Sequence, residues 1–137
     1  MATLTTDDFV SVQQFWARYC WLIDEGESEA WASLWAEDGT FTGVAPEPLV
    51  GHASLLGFAQ NVYASAGNGN IRHMAGNLTC EYGETSDTVV ARFYNYVTMW
   101  GGQPGAGSYV MALCEAVLAR AGDGWTLKSN TVRSLTP

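Results

Sequence analysis

The chain has 137 residues, enough for one hydrophobic core and too few for two, so a single domain over residues 1–137 is expected. With 47% hydrophobic, 12% aromatic and only 15% charged residues, the composition excludes a disordered polyelectrolyte. Fourteen acids against six Lys and Arg give a net charge of −8, which disfavours phosphate backbones and anionic membrane surfaces, so neither nucleic acid nor membrane is an expected partner.

From Thr6 to about Gly26 the apolar residues Phe9, Val12, Phe15, Trp16, Tyr19, Cys20 and Ile23 recur at three- and four-residue steps. That period predicts an amphipathic helix, with Thr5 or Thr6 and the Asp7–Asp8 pair at its N-terminus and Gly26 as its stop. A second helix is expected from Ser28, acting as cap, through Trp35. Asp38–Gly39 reads as a turn into a short strand at Thr40–Thr42, and Pro46 and Pro48 exclude regular structure in the loop that follows. A third helix is expected from His52 to Ala66.

Beyond Asn70, Val, Thr, Tyr and Phe accumulate, and strands are expected at 71–82, 88–100, 108–120 and 125–135. Hairpin turns at 83–86, 101–107 and 122–124 imply an antiparallel meander. The second of these strands is apolar on both faces, so helices should cover one side and a subunit partner the other, which predicts a homodimer, with a homotrimer as the alternative.

The N-terminus carries no basic segment followed by an apolar one, and no run reaches the ~20 apolar residues of a spanning helix, so cytoplasm is the expected location. Cys20, Cys80 and Cys114 are odd in number and far apart, which suits reduced core thiols. The Asn77–Thr79 sequon lacks a secretory context.

Two histidines are available for chemistry. His52, at the start of the third helix, reads as a surface or capping residue. His73 sits early in a strand where alternation puts Ile71, His73 and Ala75 on one face. Periodicity alone leaves it readable as a pocket base or as a satisfied core histidine. Asp24 closes the first helix, where an acid opposes the helix dipole, at the edge of the apolar stripe. It could serve a pocket or simply be solvated. Tyr19, nearer the centre of that stripe, reads first as core packing. A carboxylate beside a neutral histidine holds one ring N–H and frees the other nitrogen to take a proton. No ligand-spaced metal cluster, nucleophile elbow or phosphate-binding loop is present, so neither metal nor cofactor is expected.

The segments Tyr19–Asp24, Trp31-x-x-Leu34-Trp35-x-x-Asp38-Gly39-x-Phe41, Gly51–His52, Arg72-His73-x-x-x-Asn77 and Gly124–Trp125 resemble the SnoaL-like, nuclear transport factor 2-like superfamily over nearly the whole chain. The resemblance implies an α+β cone: three N-terminal helices against a curved, mostly antiparallel sheet, with a pocket between them. The pattern is similar to scytalone dehydratase, bile acid 7α-dehydratase and hexachlorocyclohexane dehydrochlorinase, cofactor-free enzymes with a His/Asp dyad. On that likeness His73 would be the general base, Asp24 its orienting partner and Tyr19 a hydrogen-bond donor to substrate. Asp38–Gly39 would be a structural turn.

Many relatives carry an Arg five residues after the last-strand Trp, whereas Asn130 stands there in this chain and Arg133 follows, which speaks against an anionic substrate. The implied activity is a cofactor-independent lyase or isomerase acting on a hydrophobic, cyclic small molecule. The alternative is a non-catalytic binding or structural module, such as a small subunit of a ring-hydroxylating dioxygenase, because one cone hosts many functions.

Overall fold

A computed structural model describes residues 2–100 and 107–136. Helix α1 spans Thr6–Asp24 and opens as its sequence dictates, with the Thr5 hydroxyl accepting a hydrogen bond from the Asp8 backbone N–H at 3.2 Å. It ends at the cap Glu25, and Gly26, at φ +77, takes the left-handed turn that the chain needs to leave the helix. Its stripe of Val12, Phe15, Trp16, Tyr19, Cys20 and Ile23 is buried.

Helix α2 is shorter than its apolar spacing suggests, covering Ser28–Ala32 and not reaching Trp35. Ser28 is its first residue, Glu27 holds the cap position, and no side chain caps it. Trp35 instead opens strand β1 (Trp35–Thr42), drawn into the sheet by the last strand: the Leu127 N–H bonds the Leu34 carbonyl at 2.9 Å, and Trp35 pairs with Leu127. Ladder hydrogen bonds and an aromatic residue suited to strands outweigh a helical period that lasts only two turns. Asp38–Gly39 lies inside this strand, in a register shift between Trp35 and Thr40, so the expected turn is a bulge.

Strand β2 (Leu49–Val50) follows the proline loop and pairs with β1, and helix α3 spans His52–Ser65. Strands β3 (Ile71–Tyr82), β4 (Thr88–Met99), β5 (Ser108–Ala121) and β6 (Gly124–Ser134) form the expected antiparallel meander. The expected turn at 101–107 lies, but for Gly107, outside the described residues. The strand order is β2-β1-β6-β5-β4-β3, in which β1 runs parallel to β6 and every other pair is antiparallel. The sheet is thus mixed, curved and unclosed, and three helices make it a cone.

Two rows of strand residues divide the cone's inner face. At the deep end Ala91, Phe93, Cys114, Ala116 and Leu118 are buried against an aromatic cluster of Trp16, Tyr19, Trp31, Trp35 and Phe41. Ring centroids within the cluster lie 5.1 Å apart for Trp16–Tyr19, 5.3 Å for Tyr19–Trp31 and 5.6 Å for Trp31–Trp35. Each such contact adds about 0.5–1.5 kcal/mol beyond the area buried. Toward the other end His73, Asn95, Val97 and Val110 are only half-buried. The deep end is therefore filled, and open space remains near His73.

Candidate functional site

Helix α1 delivers Asp24 from its last turn, and β3, an outer strand of the sheet, delivers His73. Asp24 is 3% exposed, and each of its oxygens receives a donor from the same residue. His73 Nδ1 lies 2.5 Å from Oδ1, and the His73 backbone N–H donates to Oδ2 at 2.9 Å. The backbone bond satisfies an N–H that β4 does not reach, so the carboxylate ties the helix end to the sheet edge while fixing the imidazole. An ionised carboxylate can only accept, so Nδ1 carries the proton and Nε2 is the ring's basic nitrogen. Among the described residues Nε2 makes no hydrogen bond.

A cavity of about 600 Å³ runs between α1 and the first half of β3. Its helical wall is Gln13, Trp16, Ala17, Cys20, Trp21 and Asp24, one face of α1 at helical spacing, and its other wall is Arg72 through Leu78. His73 and Asp24 both line it. Cys20 is inert there, because burial pushes its thiol up to about 12. Arg72 is held by Glu25 at 3.3 Å and by the Gly69 and Ile71 carbonyls at 3.0 and 2.6 Å, so its charge is engaged by the protein.

Tyr19 stands elsewhere. It packs on Trp16, Trp31 and Trp35 and is not among the residues lining the cavity. Five helical steps from Asp24 turn it about 140° around the axis, onto the face that meets the aromatic cluster. Burial holds its hydroxyl well above the usual phenol range, with the Asn130 amide beside it pulling weakly the other way. His52 pairs with Glu29 at 3.3 Å on the surface, while Gly51 holds the cap position of α3. Arg133 is exposed and Asn130 is 1% exposed at the deep end.

Sequence reasoning passed over Asn95, which lies on the inner face of the sheet but not among the residues lining the cavity. It is the one polar side chain among the inward-facing residues Val89, Ala91, Phe93, Asn95, Val97 and Met99 of β4, and its Oδ1 is buried with no hydrogen-bond partner among the described residues. An Asn interrupting an apolar alternation was the available signal. Among the described residues no three His, Cys, Asp or Glu side chains come together as a metal-binding group, and no helix is long and apolar enough to cross a membrane.

The sequence profile of the SnoaL-like domain matches residues 5–131. Curated protein sequences give no significant match. Among solved structures, the chain is similar to a nuclear transport factor 2-like protein with a cystatin-like fold from Novosphingobium aromaticivorans, at 25% identity and a TM-score of 0.80 over 94% of this chain and 82% of that one. A candidate scytalone dehydratase from the same organism superposes at 13% identity and a TM-score of 0.81, over 96% of this chain and 89% of that one. A candidate dehydratase of the nuclear transport factor 2-like family from Streptomyces avermitilis does so at 18% identity and 0.81, over 97% and 100%.

Proposed function

This chain belongs to the SnoaL-like family, and from that membership and the Asp24–His73 pair we propose a cofactor-independent lyase or isomerase acting on a hydrophobic, cyclic small molecule. The fold and the dehydratase-like neighbours support an enzyme of the isomerase or dehydratase type. The single observation that carries the finer reading is a histidine held by a buried carboxylate through Nδ1 at the wall of a mostly apolar cavity.

In this scheme Nε2 takes a proton from a substrate carbon next to a carbonyl or a leaving hydroxyl. The C–H electron pair becomes a double bond. In a dehydration the hydroxide departs and takes that proton back from Nε2 as water, which restores the neutral ring. In an isomerisation His73 returns its proton to a different carbon. Asp24 holds the ring in the reactive tautomer and stabilises the imidazolium formed in the step. Tyr19 would serve as hydrogen-bond donor to substrate oxygen only for a ligand that reaches past Trp16 toward the deep end, because its ring lies in the aromatic cluster. The outer face of the sheet, with Met74, Tyr94 and Tyr109 exposed, suits a second copy of the chain, so the working form is a homodimer, with a homotrimer as the alternative.

The filled deep end favours a second reading, a binding or structural module without catalysis. The two readings separate on proton exchange. With 1-tetralone in D₂O the enzyme should incorporate deuterium next to the carbonyl, and His73→Ala should lower that rate about 10²-fold or more. Equal rates in both proteins, or no exchange above buffer across a panel of cyclic ketones, would leave the binding module.

A further inference from the structure

The chain holds six tryptophans, and the fold accounts for five of them. Trp16, Trp31, Trp35 and Trp125 are 9% exposed or less, and Trp100, 37% exposed, has the Arg72 guanidinium over its ring at 5.9 Å. Trp21 differs. It is 63% exposed on helix α1, and among the described residues its indole has neither an aromatic neighbour nor a cation over its face. A Lys or Glu would hold that helical position without leaving a large apolar ring in water.

Its place in the fold gives this indole a use. Trp21 lines the cavity that holds His73 and Asp24, three residues before Asp24 and so about 4.5 Å from it along the helix axis. Trp16 lines the same cavity from the buried side of α1, about 140° around the axis from Trp21. Between these two along the helix, the residues facing the cavity are the small Ala17 and Cys20. The β3 wall opposite carries Ala75 and Gly76, and a Cβ added at Gly76 would meet nothing within 4 Å. The opening is thus a slot with a floor of small residues, an indole on its exposed flank and His73 at one end. Met74, also exposed, supplies a polarizable thioether on the β3 side.

We propose that Trp21 is a specificity-determining residue, whose indole face lies on an aromatic ring of the ligand held against His73. This rests on the reading of the cavity as a ligand site given under Proposed function. The ligand class narrows from a hydrophobic cyclic molecule to one with a flat aromatic ring beside the reacting carbon. The ligand replaces water on the indole and recovers burial that the fold leaves unused. Offset stacking then favours a π-face over a saturated ring, because the quadrupoles of two flat rings align and a puckered ring holds half its carbons away from the indole plane.

The test is equilibrium dialysis of the full chain with 1-tetralone and with trans-1-decalone, two bicyclic ketones that differ in whether the ring fused to the ketone-bearing ring is aromatic. The unaltered protein should bind 1-tetralone about fivefold more tightly. Trp21→Leu should bring the ratio to one or below, chiefly by weakening 1-tetralone, and Trp21→Phe, which restores a π-face, should keep most of the preference. A ratio unchanged in Trp21→Leu, no preference in the unaltered protein, or no binding of either ketone overturns the proposal. So does a change of oligomeric state in Trp21→Leu with the ratio unchanged, which would make the indole a subunit contact. Deuterium exchange into 1-tetralone, followed alongside, keeps the two readings apart: a tetralone preference that Trp21→Leu abolishes upholds Trp21 even where no exchange occurs, whereas His73-dependent exchange with a ratio near one overturns Trp21 alone.

Discussion

Replacing Asp24 by Asn removes a charge and keeps the shape of the side chain, so it separates the orienting role of the carboxylate from packing. In the native site one oxygen accepts from the His73 backbone N–H at 2.9 Å and the other from Nδ1 at 2.5 Å. An Asn has one oxygen. The backbone N–H can only donate and claims it, so the amide NH₂ must face Nδ1. Nδ1 then has to accept, the ring proton moves to Nε2, and the nitrogen that would take the substrate proton is occupied. Loss of general-base catalysis of about 10³-fold in kcat/KM follows, about 4 kcal/mol of transition-state stabilisation. Folding should survive. The variant exchanges a charge-assisted bond for neutral ones but also no longer buries a carboxylate, so the net cost is about 1–2 kcal/mol. The decisive assay needs no substrate: nitrogen-15 NMR of the two histidines, with His52 as the exposed control, should find Nδ1–H at His73 in the native protein and Nε2–H in Asp24→Asn. A retained Nδ1–H tautomer in the variant, or turnover within threefold of the native rate, would refute the reasoning.

Three further outcomes follow from the fold. Asp8 accepts from Arg120 and from the Tyr82 hydroxyl, chiefly the former, which lowers its carboxyl below the usual range. A depressed folded-state value contributes stability above the ordinary carboxyl range near 3.9 and loses it as pH falls through the folded value. Thermal unfolding of Asp8→Asn should therefore start a few degrees below the native protein at pH 7, with the gap closing as pH falls through and below the ordinary carboxyl range; a gap independent of pH would contradict the pairing. Gly43 has φ +97, and a Cβ there would stand 2.0 Å from the Val132 carbonyl oxygen, whereas Gly57 in α3 has open space. Denaturant titration should find Gly43→Ala destabilised by about 2–4 kcal/mol and Gly57→Ala stabilised by about 0.5–1 kcal/mol. Burial pushes the Cys20 and Cys114 thiols up to about 12 and raises the half-buried Cys80 less, so a disulfide reagent at pH 8 should reach Cys80 first and the other two only on unfolding.

Local pattern alone determined helix α1, the existence of α3 and the four-strand meander, because periods of 3.6 and 2 are set by backbone geometry and repeat over ten residues or more. The resemblance, and not periodicity, pointed to Asp24 and His73 as a pair. Each is ordinary in its own element, and they meet only because α1 packs against the edge strand 49 residues away in the chain.

Short segments were the least legible. Trp35 continues a helical spacing from Trp31, yet β6 captures it, and Asp38–Gly39 carries the signal of a turn yet lies in a bulge, since hydrogen bonds from a distant strand outweigh a preference spread over few residues. Tyr19 and Asn95 mark the same boundary from the side of the site. Which residues fill the deep end and which amide is left without a donor depends on side chains from five elements converging on one space. Only the tertiary structure decides that, because packing and hydrogen-bond satisfaction are properties of neighbours in space and not of neighbours in sequence.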